Sequence, residues 1–280
     1  MGLFCFLSDS MKEEAYILGT DQEELDRLGF QHAVWSKEAS RLWHLGGITL
    51  GQQMLDLGCG PGFASFDLAQ AVGREGKVVG VDISAEYIQY ANQQAEQRHL
   101  SHASFIETSF DDLEFEENSF DAIYCRWALA WINNVPDVIE KVFRWLKPGG
   151  VFMAQEYQHW ATFCVSPERP EVRVLVEACR EGWKQMESEI DIGVRLPQIM
   201  FDAGFNLEHV GPLIRYSNPR EMTWQWPGTF LKIYSYKLIE LGLLTNEDRE
   251  RFLPVWEELE KDPQTTFVTP MMMEIIGRKN

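Results

Sequence analysis

The stretch Leu55-Asp56-Leu57-Gly58-Cys59-Gly60-Pro61-Gly62 limits what this chain can fold into more than any other. Gln53 to Leu57 reads as a short buried strand, and glycines at alternate positions follow it. Glycine lets the backbone turn sharply and lets a ligand approach main-chain N–H groups that a Cβ would block. A tight strand-to-helix connection without a ligand uses the same residues, so the turn alone does not decide. Val79-Gly80-Val81-Asp82 ends the next apolar run about 20 residues on, where an acidic side chain can accept hydrogen bonds from ribose hydroxyls. Asp82 also stands where a helix cap would, ahead of Ser84 and Glu86. The turn and the acid together favour an adenosyl ligand.

Around this pair, apolar strand-like runs alternate with helical patterns. The strand-like runs are Lys77 to Val81, Ser104 to Ile106, Phe120 to Tyr124 and Val151 to Gln155; helices are expected near Phe63 to Val72, Ala85 to Arg98 and Asp137 to Leu146. Strands separated by helices of this length imply a parallel sheet covered on both faces. The fold class expected is α/β, a Rossmann-like doubly wound and mostly parallel seven-stranded sheet with a helical N-terminal segment and helical cap insertions.

The pattern divides the chain into a helical N-terminal segment over the cofactor site at 1–47, a core at 48–160 and a helical insertion at 161–190. A core helix and strand at 191–217, a helical cap at 218–264 and a last core strand at 265–280 follow. In detail, Leu207 to Tyr216 is expected as one strand, Pro219 to about Leu259 as one helical segment, and Thr266 to Ile276 as one strand.

Two kinds of adenosyl ligand use such a turn. A dinucleotide site wants glycine at the position of Phe63, because the pyrophosphate sits on the helix N-terminus and the third glycine allows close helix packing. Phe63 is bulky, and Tyr234 and Lys237 are one residue too close for a Tyr-x-x-x-Lys hydride-transfer pair. Four stretches carry a resemblance: Asp56 to Gly62; Val81-Asp82-Ile83-Ser84; Phe115 with Asn118-Ser119-Phe120-Asp121; and Leu146-Lys147-Pro148-Gly149-Gly150. In this order, over about Met54 to Gln155, they resemble the motifs of class I S-adenosylmethionine (SAM)-dependent methyltransferases, the ubiquinone/menaquinone-biosynthesis-like group in particular.

The resemblance implies a SAM cofactor, S-adenosylhomocysteine (SAH) as product, and a role for each matching residue. Asp56 would hold the methionyl amino group, with Gly58 and Gly60 lining the methionine moiety and Cys59 between them. Asp82 would take the ribose hydroxyls and Ile83 would pack on adenine. Thr108-Ser109 replaces the family's common Gly-Asp, which leaves Ser109 and the Phe110 N–H to serve the adenine edge. Arg126 follows the fourth strand and can pair with the methionyl carboxylate, and Trp127 or Trp131 can wall the sulfonium; a surface Arg and two core tryptophans fit the same pattern. Tyr16-Ile17-Leu18-Gly19 and Arg27 to His32 resemble a lead-in that folds over the cofactor, which makes Tyr16 and Gln31 or His32 candidates to touch methionine or the acceptor.

Methyl transfer is an in-line displacement whose leaving group SAM itself activates, so alignment and water exclusion matter more than a catalytic signature. Glu156 and His159, after the fifth strand, are the candidate catalytic pair: His159 has the intrinsic pKa of a general base, and Glu156 can orient it or act alone. Later insertions carry Trp160, Phe163, Trp183, Trp224, Trp226, Phe230 and Tyr234, which suits a lid over a small organic acceptor, the cap's own core, or a homodimer contact.

A formal charge of −18 opposes nucleic acid and anionic membranes. The five cysteines lack a C-x-x-C pair or a His partner at metal spacing, so no metal site is expected and reduced thiols in the cytoplasm are the simplest reading. The alternatives of a protein or peptide methyltransferase, and of a SAM-binding protein without methyl transfer, stay open. The missing dinucleotide glycine predicts that the protein binds SAH but not NAD. Calorimetry with both ligands checks this, and tighter binding of NAD would overturn the resemblance.

Overall fold

The computed structural model describes residues 21–280. Helix α1 (Gln22–Leu45) starts at Asp21, whose side chain accepts the Glu24 N–H, and leads into β1 (Gln53–Leu57), α2 (Phe63–Val72), β2 (Lys77–Asp82), α3 (Ala85–Gln97) and β3 (Ala103–Glu107). After β4 (Phe120–Arg126), α4 (Val135–Trp145) and β5 (Leu146–His159) come β6 (Cys164–Ser166), α5 (Pro170–Gln185), α6 (Leu196–Asp202) and β7 (Asn206–Leu213). The chain ends with β8 (Tyr216–Ser217), α7 (Met222–Glu240), α8 (Asn246–Lys261), β9 (Thr266–Val268) and β10 (Met271–Arg278).

The main sheet has seven strands in the order β3-β2-β1-β4-β5-β10-β7, parallel except for β10, which runs antiparallel to both neighbours. Period-two alternation sends adjacent residues to opposite faces. Leu55, Leu57, Val79, Val81, Ile123, Cys125, Phe152 and Ala154 join the core on one face. Met54, Val78, Ala122, Tyr124, Val151 and Met153 join the other. Because both faces are covered, β1, β2 and β4 read as almost unbroken apolar runs.

The helices show why they belong there. Val135, Val138, Ile139, Val142 and Trp145 of α4 recur at three- and four-residue steps and are all buried on the first face, beside Leu196, Ile199 and Met200 of α6. On the second face, Leu42 and Trp43 of α1 pack with Leu68 and Val72 of α2. Helix α1 is also pinned by polar contacts: Arg41 pairs with Glu274 of β10, and Arg215, between β7 and β8, pairs with Glu38 and donates to Val34 O.

The second body of apolar residues is the cap, where α5, α7, α8 and a small sheet β6-β9-β8 share their own core. Here the structure corrects three readings of the sequence. The stretch expected as one strand over Thr266 to Ile276 is two: β9 pairs in the small sheet and β10 in the main one, separated at Thr269-Pro270, where proline has no N–H for a ladder. Leu207 to Tyr216 divides the same way, into β7 of the large sheet and β8 of the small one. The helical segment from Pro219 breaks around Gly242, whose φ of 70° is left-handed, into α7 and α8.

Trp256 of α8 is fully buried, stacked on Trp224 at 5.2 Å, and its indole N–H donates to Glu260 at 2.8 Å. Trp256→Ala should cost about 3–5 kcal/mol, the range for deleting a buried tryptophan. Chemical denaturation measures it, and a loss under about 1 kcal/mol would contradict this packing.

Candidate functional site

Strand order reverses between β1 and β4, because the chain moves outward from β1 through β2 to β3 and then returns to the other side. A crevice forms at the carboxyl ends of strands at such a switch point. A cavity of about 370 Å³ opens there. Its polar end is lined by Asp56, Gly58, Cys59, Gly60, Asp82, Ile83, Ser109, Phe110 and Arg126; a second arm reaches Trp160, Phe163, Trp183, Phe230 and Tyr234 under the cap. Gln31, Trp127, Trp131 and Trp226 also line it.

The glycine turn is built differently from a phosphate cradle. The N–H groups of Gly58 and Cys59 both donate to Val81 O at 2.9 Å, Gly60 N–H donates to Asp82 Oδ2 at 2.8 Å, and Gly62 N–H donates to Cys59 O at 3.0 Å. These four donors are spent inside the protein, contrary to the expectation that the turn offers its N–H groups to a ligand. What the glycines provide is conformation and space. Gly58 and Gly60 have φ of 75° and 52°, a Cβ on Gly58 would collide with Ala128, and one on Gly60 would project into open space.

Asp82, 7 % exposed, is aligned by two backbone donors, Gly60 N–H and Ser84 N–H, and its carboxylate keeps lone pairs for hydroxyl groups. It does not cap α3, since the Tyr87 N–H goes to Ser84 Oγ. Ile83 is half-exposed on the cavity, an apolar face for a flat ring. The Ser109 hydroxyl donates to Asp112 at 2.8 Å, and Lys141 Nζ pins the loop by donating to the carbonyls of Phe110, Asp111 and Leu113.

Asp56 is buried and accepts from Ser65 Oγ. Burial pushes its pKa up to about 6, the Ser65 bond and the Arg126 charge pull it down, and the Asp82 charge adds to the rise. Arg126 donates through Nη2 to His32 Nδ1 at 2.9 Å, while its buried Nη1 has no partner. Trp127 holds a left-handed φ of 55°, a costly conformation for tryptophan, clamped by stacking on Tyr157 at 5.8 Å and Trp226 at 6.0 Å. Trp131 is 46 % exposed, with its indole N–H on Trp127 O. Gln31 Oε1, on the cavity wall, accepts from Arg27 Nη1 and Trp226 Nε1.

Two expectations do not survive this geometry, and one lies outside the described residues. Glu156 is wholly buried below the turn after β4: its Oε1 accepts from the Ala128 and Leu129 N–H groups at 3.0 Å, and burial pushes its pKa up to about 7. His159 is exposed at the end of β5, and neither residue lines the cavity. A catalytic pair there would have no access to an acceptor. Tyr16 falls outside the described residues.

Sequence reasoning missed Glu24 as a cavity residue. Arg27 donates to both of its carboxylate oxygens at 2.6 Å, near the start of α1, and both residues line the cavity. Their spacing of three looks like any solvated helix pair, and only the cap makes it buried.

The residues fit the parts of SAM. Asp56 suits an ammonium, the free Nη1 of Arg126 a carboxylate, Asp82 a ribose and Ile83 an adenine. A family model described as a methyltransferase domain matches residues 48–193. The chain belongs to this methyltransferase domain family. A demethylmenaquinone methyltransferase of Lactococcus lactis is 35% identical over 132 residues, 46% of this chain and 50% of that protein. A sterol 24-C-methyltransferase of Aspergillus fumigatus is 31% identical over 244 residues, 84% of this chain and 62% of that protein. The chain thus spans about half the length of the demethylmenaquinone relative and more of the sterol one. Among solved structures, the [4+2]-cyclase SpnF shares the fold with a TM-score of 0.55 at 20% identity, over 87% of this chain and 80% of that one.

Within this methyltransferase domain, the raised pKa of Asp56 has a stability consequence. A carboxyl whose folded pKa lies above its ordinary value of 3.8 favours the fold when protonated, and that contribution is lost as pH rises through about 6. Asp56→Asn should therefore raise the stability of the ligand-free protein by ~1–3 kcal/mol at pH 7 and by little at pH 4. Denaturation at both pH values checks it; equal gains, or a loss at pH 7, would contradict the burial argument. Glu156 titrates in the same range and remains in the variant, so some pH dependence persists.

Proposed function

We propose that the protein is a SAM-dependent methyltransferase whose acceptor is a small, uncharged and largely apolar molecule. One observation carries this: a single cavity joins the glycine turn and Asp82 to an aromatic arm under the cap. When bound, SAM supplies an activated methyl carbon and its own leaving group. The chain's residues bind, orient and exclude water. Asp56 and Arg126 hold the methionyl end, Asp82 and Ile83 the adenosyl end, and Trp127 and Trp131 wall the junction. Trp160, Trp183, Phe230 and Tyr234 enclose the acceptor arm, with Trp183 packed edge-on to Trp160 at 4.6 Å and Phe230 stacked on Tyr234 at 5.2 Å.

Charge narrows the acceptor class. Among the described lining residues of the aromatic arm and its entrance, the charges are Glu24 and Arg27, which neutralise each other. Neither a phosphate-rich nor a cationic acceptor finds an unpaired countercharge there, and burying an unpaired charge is costly. The net charge of −18 argues in the same direction against nucleic acid. Among the described residues no helix is long and apolar enough to cross a membrane. Free thiols at Cys59, Cys125, Cys164 and Cys179 support a reducing compartment such as the cytoplasm.

A second reading, a SAM-binding protein that transfers no methyl group, draws support from the cyclase that shares the fold. Release of SAH in proportion to acceptor consumed separates the two. With methyl-tritiated SAM and a cell extract, label is expected in the metabolite fraction rather than in protein or tRNA. Trp183→Ala, assayed at a temperature where circular dichroism shows it folded, should cut transfer by at least ~10-fold while leaving SAH affinity within ~2-fold, because Trp183 lines the acceptor arm and not the cofactor end. Dominant labelling of tRNA, or an equal loss of SAH binding and transfer, would refute the assignment of the two arms.

A further inference from the structure

His32 is placed behind the cavity wall rather than on it. Its ring bridges two helices and a strand: Nε2 of this α1 residue is 2.9 Å from Asp67 Oδ2 on α2, and Nδ1 is 2.9 Å from Arg126 Nη2 at the end of β4. A guanidinium nitrogen can only donate, so Nδ1 must accept. The neutral ring then carries its hydrogen on Nε2, where the Asp67 carboxylate takes it. Phe63 stacks on the ring at 6.3 Å with 21° between planes and holds its orientation.

On the far side, Arg126 lines the cavity, and its buried Nη1 has no partner in the protein. Asp56 lines the same end but forms no ion pair with Arg126, accepting from Ser65 instead. The guanidinium is thus anchored through one nitrogen and free through another.

We propose that His32, oriented by Asp67, is a positioning residue for the cofactor: as neutral imidazole it anchors Arg126 so that the free Nη1 meets the methionyl carboxylate. This rests on the reading of the cavity as a SAM site. A buried guanidinium with long rotatable linkages needs such an anchor, since a mobile one would lose side-chain entropy on binding each carboxylate. The relay extends the site by one layer without touching the ligand, as second-layer partners do for other oriented groups.

Protonation breaks the relay. The only site left for a second proton is Nδ1, which would set an imidazolium N–H against an Arg126 N–H. Burial and the Arg126 charge hold the His32 pKa below the ordinary histidine range, although Asp67 on α2 opposes them. The charged groups that bear on the relay are therefore Asp67 from α2, Arg126 from β4 and, beyond Arg126, Asp56 from β1.

The test compares SAH with 5′-methylthioadenosine, which keeps the adenosine and thioether but lacks the amino-acid end. Calorimetry on wild type and His32→Phe at pH 7.5 should show SAH affinity falling about tenfold, as for a lost anchor to a charged group, with 5′-methylthioadenosine unchanged within ~2-fold. His32→Gln, whose side-chain oxygen can accept from Arg126, should recover most of the loss. Nitrogen-15 NMR of the wild-type ring should show the Nε2–H tautomer at neutral pH. Equal losses for both ligands, no loss for either, or an Nδ1–H tautomer would overturn the proposal. Wild type that folds but does not bind SAH would instead remove the SAM reading itself, and the relay with it. Should His32→Phe fail to fold, the Gln variant and the wild-type spectrum still decide.

Discussion

The reversal of strand order between β1 and β4 is the constraint on which the rest of the molecule depends. Crossover helices leave both faces of the sheet in opposite directions from that point, so nothing in the core covers the carboxyl ends of the two strands. Whatever fills the gap must come from elsewhere in the chain. Helix α1 does so from before the sheet, held by Arg41 to β10 and by Arg215 through Glu38 and Val34. The cap does so from after it. Both coverings contribute to the lining of the crevice: Arg27 and Gln31 on α1, and Trp226, Phe230 and Tyr234 on α7.

Closing the crevice concentrates ionisable groups where water is scarce. Asp56, Asp82 and Glu156 are all buried, and each is pushed above its ordinary pKa by that burial. The protein answers each differently. Asp82 is held by two backbone N–H groups, Glu156 by two more beneath the turn after β4, and Asp56 by a single serine. The first two arrangements are structural in part: they fix the glycine turn and the Trp127 conformation. Asp56 keeps a single side-chain donor and Arg126 a nitrogen without a partner, which in the function proposed above is where the ligand completes the interactions.

The aromatic arm follows a different logic. Its rings belong to the core of the cap, where they stack and pack edge-on, and the same rings form the cavity wall. The space these rings leave open belongs to the cavity, and their faces make that part of its lining aromatic.

Much of this was legible from residues alone. The doubly wound sheet follows from apolar runs alternating with helical periods, and the meeting of the glycine turn and Asp82 at one cavity follows from their separation in sequence, because both depend on local spacing that a linear chain displays. Local spacing also misled. Thr266 to Ile276 looks like one strand because it is a mostly apolar run, yet Pro270 lets the chain change sheets. Glu156 and His159 looked catalytic because they end a strand at the proper edge, yet burial turns one inward and leaves the other in solvent. The pairing of His32 with Arg126, 94 residues apart, and the burial of Glu24 with Arg27 could only be decided by tertiary structure. A side chain's partner and its dielectric surroundings are set by which distant segments fold over it, and sequence carries no measure of that distance.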